Sequence, residues 1–270
     1  MNSVSVRILV LGTLLAGPLV GGGCRREEGG GTINAVGSTS LQPFAELLAQ
    51  EYEKKNRGWK VDVQGGGSTA GLQAVTDGLA QIGMCSRELT PDEAAKFTPI
   101  VIARDGLAIV VNPDNPVSEL KTDQIRSLFS GRIRSWKEVG GKDEPVRIIT
   151  REESSGTRDC FVHLVMGKEK ISREALVQES SGAVKELIKG NPAAIGYISL
   201  GLVGRDLKAL IVDGEAPTAA NVLAGRYRLA RPLLFVTKGE PLPAAKKFID
   251  FVLLPESQKM LEAEGLIRAR

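Results

Sequence analysis

Hydroxyl-bearing turns are the chemistry that this sequence repeats. Gly37-Ser38-Thr39-Ser40, Gly67-Ser68-Thr69-Ala70 and Ser154-Ser155-Gly156-Thr157 share one design. An apolar run ends, glycine permits a sharp turn, and Ser or Thr stands where a helical pattern begins. The first turn of a helix carries backbone N–H groups with no internal partner, and the helix dipole adds partial positive charge there. Ser and Thr hydroxyls supply further donors and cap the helix. Such a turn can hold an anion. One of them alone is an ordinary helix cap. Three in one chain, the third just after Arg151, point to an anion held among them. Arg151 closes a strand pattern, so its guanidinium can reach that anion with a bidentate fork that lysine lacks. Glu153 is close enough to orient it, and a surface ion pair of Arg151 with Glu152 or Glu153 is the plain alternative.

The residues that catalysis would need are missing. A nucleophile elbow requires glycine where GGGSTAG has Ala70. The same loop is not followed by the Gly-Lys-Ser/Thr of a P-loop. His163 is the only histidine and lies in an apolar helical pattern with Phe161, Leu164 and Val165, so it is a poor general base and no multi-histidine metal site exists. No Cys/His spacing suits a metal. The expectation is a binding protein, not an enzyme, with no cofactor and no metal.

Composition narrows the partner. Across 270 residues the formal charge is +3, without a Lys/Arg-rich run, which argues against nucleic acid. Aromatic residues at 4% leave little material for stacking on sugars or bases. A hydrophobic share of 42% with 25% charged residues is that of a globular domain, large enough for one big core or two modest ones.

Residues 1–24 read as an export signal: Arg7, a short apolar stretch from Ile8 to Val20, then Gly21-Gly22-Gly23 before Cys24. This resembles a bacterial lipoprotein signal, with Cys24 acylated and a tether over 25–31, although Gly21 stands where a large aliphatic residue is usual. An ordinary cleaved signal with an incidental cysteine is the other reading. Export and the anchor together imply a periplasmic or cell-surface protein attached to the membrane.

Short apolar runs alternate with helical patterns, which gives an α/β fold. Strands are expected at Ile33–Val36, Lys60–Gln64, Ala80–Met84, Gly106–Asn112, Val146–Thr150, Ala194–Ile198 and Leu233–Val236. Helices are expected with Phe44, Leu47, Leu48 and Tyr52 on one face, with Leu72, Val75 and Leu79 on another, and over Thr122–Phe129, Ala244–Leu253 and the stretch after Pro255.

Eight segments in order, GSTSLQPF (37–44), GGGSTAG (65–71), QIGMCSREL (81–89), DGLAIVVNPDNPV (105–117), REESSGTR (151–158), IGYISLG (195–201), RYRLARPLLFVTKG (226–239) and KKFIDFVLLPESQ (246–258), resemble the phosphate-binding component of the bacterial phosphate ABC transporter, a type II periplasmic binding protein. The resemblance implies two α/β lobes, each a mixed sheet flanked by helices, joined by two crossing strands. Lobe one would comprise 32–111 and 232–270, and lobe two 112–231. It implies a monomer that binds inorganic phosphate and serves ABC permease and ATPase subunits. Sulfate or molybdate binding, or a sensing lipoprotein without transport, are the alternatives. By motif the site would be Ser38, Thr39, Ser40, Ser68, Ser86, Arg151, Ser155, Gly156 and Thr157. Some relatives carry an aspartate where this chain has Ser86, to accept the proton on phosphate, so discrimination against sulfate is the point at which the chain departs. Arg87 beside it adds positive charge or pairs with Glu88. Cys85 and Cys160 would fall on opposite sides of a moving cleft and are expected to be unpaired.

Overall fold

The computed structural model describes residues 30–269. The expected signal, Cys24 and most of the tether lie outside them.

The first lobe opens with β1 (Gly31–Gly37), α1 (Gln42–Lys55), β2 (Trp59–Gln64), α2 (Ser68–Thr76) and β3 (Ile82–Cys85), its three strands paired in parallel with β1 in the middle. A single turn, α3 (Pro91–Ala94), leads into the long strand β4 (Thr98–Val111). The second lobe contains β5 (Glu119–Leu120), α4 (Thr122–Phe129), β6 (Arg147–Arg151), α5 (Gly156–Phe161), β7 (Leu176–Gln178), α6 (Ser181–Lys189), β8 (Ala194–Ser199), β9 (Lys208–Ala209), β10 (Ile211–Val212) and α7 (Ala219–Leu223). The chain returns along β11 (Ala230–Thr237) and ends in α8 (Pro243–Val252), α9 (Pro255–Ala263) and β12 (Ile267–Arg268).

Hydrogen bonding links the strands in the order β2-β1-β3-β11-β4-β8-β6-β7, with β9 and β12 adding to β4. Two cores hang on this path. The first gathers Ile33, Leu48, Phe235 and Phe248, with Tyr52 edge-on to Phe248 at 5.3 Å between ring centroids. The second gathers Leu107, Ile109, Phe129, Phe161 and Tyr197. β4 serves both. From Thr98 to Gly106 it pairs with β11, and from Leu107 to Val111 it pairs with β8. Its Ile102 and Ala103 lie in the first core, and Leu107, Ile109 and Val111 in the second.

Local chemistry explains the helices that flank the cleft. In α1, Pro43 sits in the first turn, where its missing N–H costs nothing, and Lys54 and Lys55 sit in the last turn, where the dipole favours cations. Phe44, Leu48 and Tyr52 recur every fourth residue and bury one stripe. In α2, Leu72 and Val75 are buried as expected, but Leu79 is not on their face. The helix stops at Thr76 because Gly78 takes a left-handed φ of 72°, and Leu79 is left 69% exposed. Among the described residues no helix is long and apolar enough to cross a membrane.

Candidate anion-binding cleft

Arg151 ends β6, after the buried residues Ile148, Ile149 and Thr150. The second core aims it. Phe161 stacks on Tyr197 at 4.1 Å, and the Tyr197 hydroxyl shares a 2.6 Å hydrogen bond with Thr150 Oγ1 and accepts from the Arg151 N–H at 3.3 Å. Burial pushes the Tyr197 phenol up to about 12, so it remains a neutral hydroxyl. Glu152, not Glu153, holds the guanidinium, taking Nε and Nη2 at 2.8 Å each. Glu153 is exposed because the turn after the strand carries it outward.

The remaining donors of Arg151 face hydroxyls. Nη1 donates to Ser181 Oγ at 3.0 Å and Nη2 to Thr39 Oγ1 at 3.0 Å. Ser181 Oγ shares a hydrogen bond with Ser40 Oγ at 2.9 Å, and Ser40 Oγ with Thr157 Oγ1 at 2.7 Å. Arg231 Nη1 donates to Thr157 Oγ1 at 2.7 Å. An unbroken path therefore runs from one guanidinium through three buried hydroxyls to another, and it crosses between the lobes.

The other turns close around this path. Ser68 is the first residue of α2, and its Oγ accepts from the Ser86 N–H at 3.1 Å with Ser86 Oγ at 3.4 Å. Ser155 caps α5 by accepting from the Arg158 N–H at 3.3 Å. Gly156 lies across the cleft, where a Cβ would stand 2.3 Å from Ser68 Oγ and 3.0 Å from Ser86 Oγ. Gly67, at φ +94°, lets the Thr69 N–H donate across the cleft to the Ser154 carbonyl at 3.1 Å. Ser38 is buried, but its hydroxyl accepts from the Leu41 N–H at 3.3 Å, within its own turn. Of the nine residues expected at the site, Thr39, Ser40, Arg151 and Thr157 join one network, Ser68, Ser86 and Gly156 meet beside it, and Ser38 and Ser155 shape their own turns.

Sequence reasoning missed Ser181, Asp105 and Arg231. Ser181 had a signal: Glu179-Ser180-Ser181-Gly182 repeats the hydroxyl turn, and Ser180 caps α6 by accepting from the Ala183 N–H at 3.1 Å. Asp105 and Arg231 are charges at the edges of apolar strands. They are register partners on β4 and β11, fully buried, with Asp105 Oδ2 accepting from Arg231 Nε at 3.0 Å and Nη2 at 2.9 Å. Burial pushes the Asp105 carboxyl up, and the guanidinium beside it works the other way.

At the cleft margin Arg87 forks onto Glu93 at 2.6 and 2.9 Å, in place of the expected carboxylate of Glu88. Thr90 and Glu93 form a reciprocal capping box at the start of α3, which brings that carboxylate to the guanidinium. Arg87 Nε also lies 2.9 Å from Asp159 Oδ2 of the second lobe. Cys85 and Cys160 are both buried and unpaired, and burial raises the Cys160 thiol to about 11. His163 is exposed. Among the described residues no cluster of His, Cys, Asp and Glu could hold a metal.

Two α/β lobes sharing a pair of strands, with donors converging between them, define a two-lobed solute-binding protein. The family model described as a PBP superfamily domain matches residues 25–256. The phosphate-binding protein PstS of Bacillus subtilis (strain 168) is 34% identical over 239 residues, covering 87% of this chain and 79% of that one. PstS of Borreliella burgdorferi is 27% identical over 282 residues, with 99% of both chains covered. Among solved structures, a Clostridium perfringens protein described as a phosphate ABC transporter substrate-binding protein, with bound phosphate, superposes with a TM-score of 0.85 at 37% identity, covering 89% of this chain and all of that one. An ABC-type phosphate transport receptor from Vibrio cholerae gives 0.73 at 38% identity, covering 87% and 99%. The chain belongs to the PstS family of phosphate-binding proteins within the PBP superfamily.

Proposed function

We propose that this chain binds one phosphate ion in the cleft between its lobes and delivers it to an ABC permease, acting by binding alone. The observation that carries this reading is the buried path from Arg151 through Ser181, Ser40 and Thr157 to Arg231, which draws donors from both lobes to one place. Thr39, Ser40, Ser68, Ser86, Arg151 and Thr157 then contact the anion, while Ser38 and Ser155 set their turns and Gly156 lets the lobes approach. Closure replaces these protein–protein hydrogen bonds with protein–anion ones. Charge-assisted hydrogen bonds contribute roughly 1.5–3 kcal/mol each. Five of them cover the ~8 kcal/mol of micromolar affinity after closure and ordering costs.

We place lobe one at about residues 32–106 and 232–270, with the first boundary at Gly106, because β4 changes partner there. The protein works outside the cytoplasmic membrane as a monomer, held by lipid on Cys24. Calorimetry on ligand-stripped protein tests the central claim. Phosphate should bind at about one per chain, and Arg151→Ala should weaken it by more than about 100-fold, since it removes the guanidinium from the anion and leaves Glu152 without its cation. Absence of any oxyanion binding by the unaltered protein would end this reading.

A further inference from the structure

Arg231 and Asp105 face each other across the two strands that join the lobes, with side chains 1% and 0% exposed. A buried ion pair is in general no more stabilising than well-packed apolar side chains, so stability alone gives no account of a pair at this crossing. Its geometry does. Asp105 occupies the Nε/Nη2 edge and leaves Nη1, which donates to Thr157 Oγ1 at 2.7 Å and to the Ser86 carbonyl at 3.2 Å. Arg151 is the mirror case: Glu152 occupies Nε and Nη2, and Nη1 goes to Ser181. Two guanidiniums thus stand at opposite ends of one row of hydroxyls, each with its Nη1 turned inward onto a hydroxyl.

The carboxylates are as fully accounted for. Asp105 Oδ1 accepts from the Leu200 N–H at 3.1 Å, and Oδ2 from Arg231. Both Glu152 oxygens accept from Arg151, with Ser154 Oγ on Oε1 at 3.3 Å. Neither carboxylate turns an oxygen toward Ser40, Thr157 or Ser181. The hydroxyls can donate or accept, but they carry no charge.

We propose that Arg231, positioned by Asp105, is a second guanidinium for the anion, and that the two guanidiniums select tetrahedral oxyanions by double negative charge instead of by a proton on the ligand. This rests on the anion-binding reading above. Positive charge from two sides favours the dianion over the monoanion in a buried site. A fully deprotonated oxyanion meets no unpaired carboxylate that would reject it. The cleft therefore takes hydrogen phosphate ahead of dihydrogen phosphate, and it admits sulfate.

The charged and titratable groups packed near Arg231 are Asp105 and Arg104 on β4, Cys160 and Asp159 on α5, and Arg268 on β12. Arg87, Glu88 and His163 share a neighbouring hollow of about 630 Å³. Tyr227 lies close to Asp105. Phosphate changes its own charge in the neutral range, so the test also needs a ligand whose charge is constant there. Sulfate is that ligand.

Calorimetric titration of the ligand-stripped protein with phosphate and with sulfate, at about pH 6 and about pH 8, decides the matter. Phosphate affinity should rise about tenfold as the ligand loses its second proton, and sulfate affinity should stay level. Arg231→Gln should weaken both anions by more than about tenfold. The double variant Arg231→Gln/Asp105→Asn, which leaves no lone buried charge, should do the same with an unchanged unfolding temperature. Native phosphate affinity in the double variant overturns the proposal. So does exclusion of sulfate, or a sulfate affinity that follows pH as phosphate's does. If the unaltered protein binds neither anion, the anion-binding reading fails and takes this proposal with it.

Discussion

The two lobes touch through guanidinium–oxygen contacts in two places, and the two places differ in their access to water. In the centre of the cleft Arg151, Arg231, Ser40, Thr157 and Ser181 are all buried. At the margin, Arg87 meets Asp159 with the side chains 11% and 43% exposed. Water can replace a lost partner at the margin and cannot do so in the centre. The same type of contact is therefore structural glue of small value in one place and a determinant of closure in the other.

The sharpest way to break this comparison is to wedge the central contact. Gly156→Ala puts a methyl group 2.3 Å from Ser68 Oγ, against a lobe that must approach it. No left-handed φ is recorded at Gly156, so the strain belongs to closure and not to the fold of the second lobe. Phosphate affinity should fall by about 1–3 kcal/mol, the range of overpacked interiors, with the unfolding temperature of the ligand-free protein little changed. An equal loss in both measurements would show that the glycine serves folding.

A smaller effect is expected from Ser181→Ala, which removes the hydroxyl between Ser40 Oγ and Arg151 Nη1. Titration should show a loss of about 1–2 kcal/mol in phosphate binding, one hydrogen bond's worth with a charged donor left short of a partner. Native affinity would mean that Arg151 reaches the anion without Ser181.

The smallest effect belongs to the margin. Asp159→Asn should cost under about 1 kcal/mol in closure, and the difference should shrink as salt is raised. Small-angle scattering of the ligand-stripped protein, before and after phosphate is added, reads it. A cost equal to that of Ser181→Ala, unaffected by salt, would erase the distinction between centre and margin.

The three Gly/Ser turns were legible because a hydroxyl at a helix start says what it can donate wherever the helix lies. The strands and helices of the first lobe were legible for a similar reason, since its apolar runs and glycine turns are local. Pairing was not. Whether Glu152 or Glu153 holds Arg151 depends on how the chain leaves β6, and the residue that follows the strand directly has the reach. Asp105 and Arg231 stand 126 positions apart, and only the antiparallel register of β4 with β11 makes them partners. The first half of β4 was unread because charged Arg104 and Asp105 interrupt its apolar pattern, and those interruptions mark the crossing. Leu79 shows the converse error: the spacing continued past Gly78, but the helix did not.

The strands that join the lobes are antiparallel neighbours, hydrogen-bonded along most of β11, so they resist stretching and shear far more than torsion. Rotation about that ribbon is the relative motion of the lobes that leaves its ladder of hydrogen bonds intact. A membrane complex that grips both halves would need to apply only a torque to expel the cargo, and an empty, sprung-open molecule would present it with a mismatched footprint.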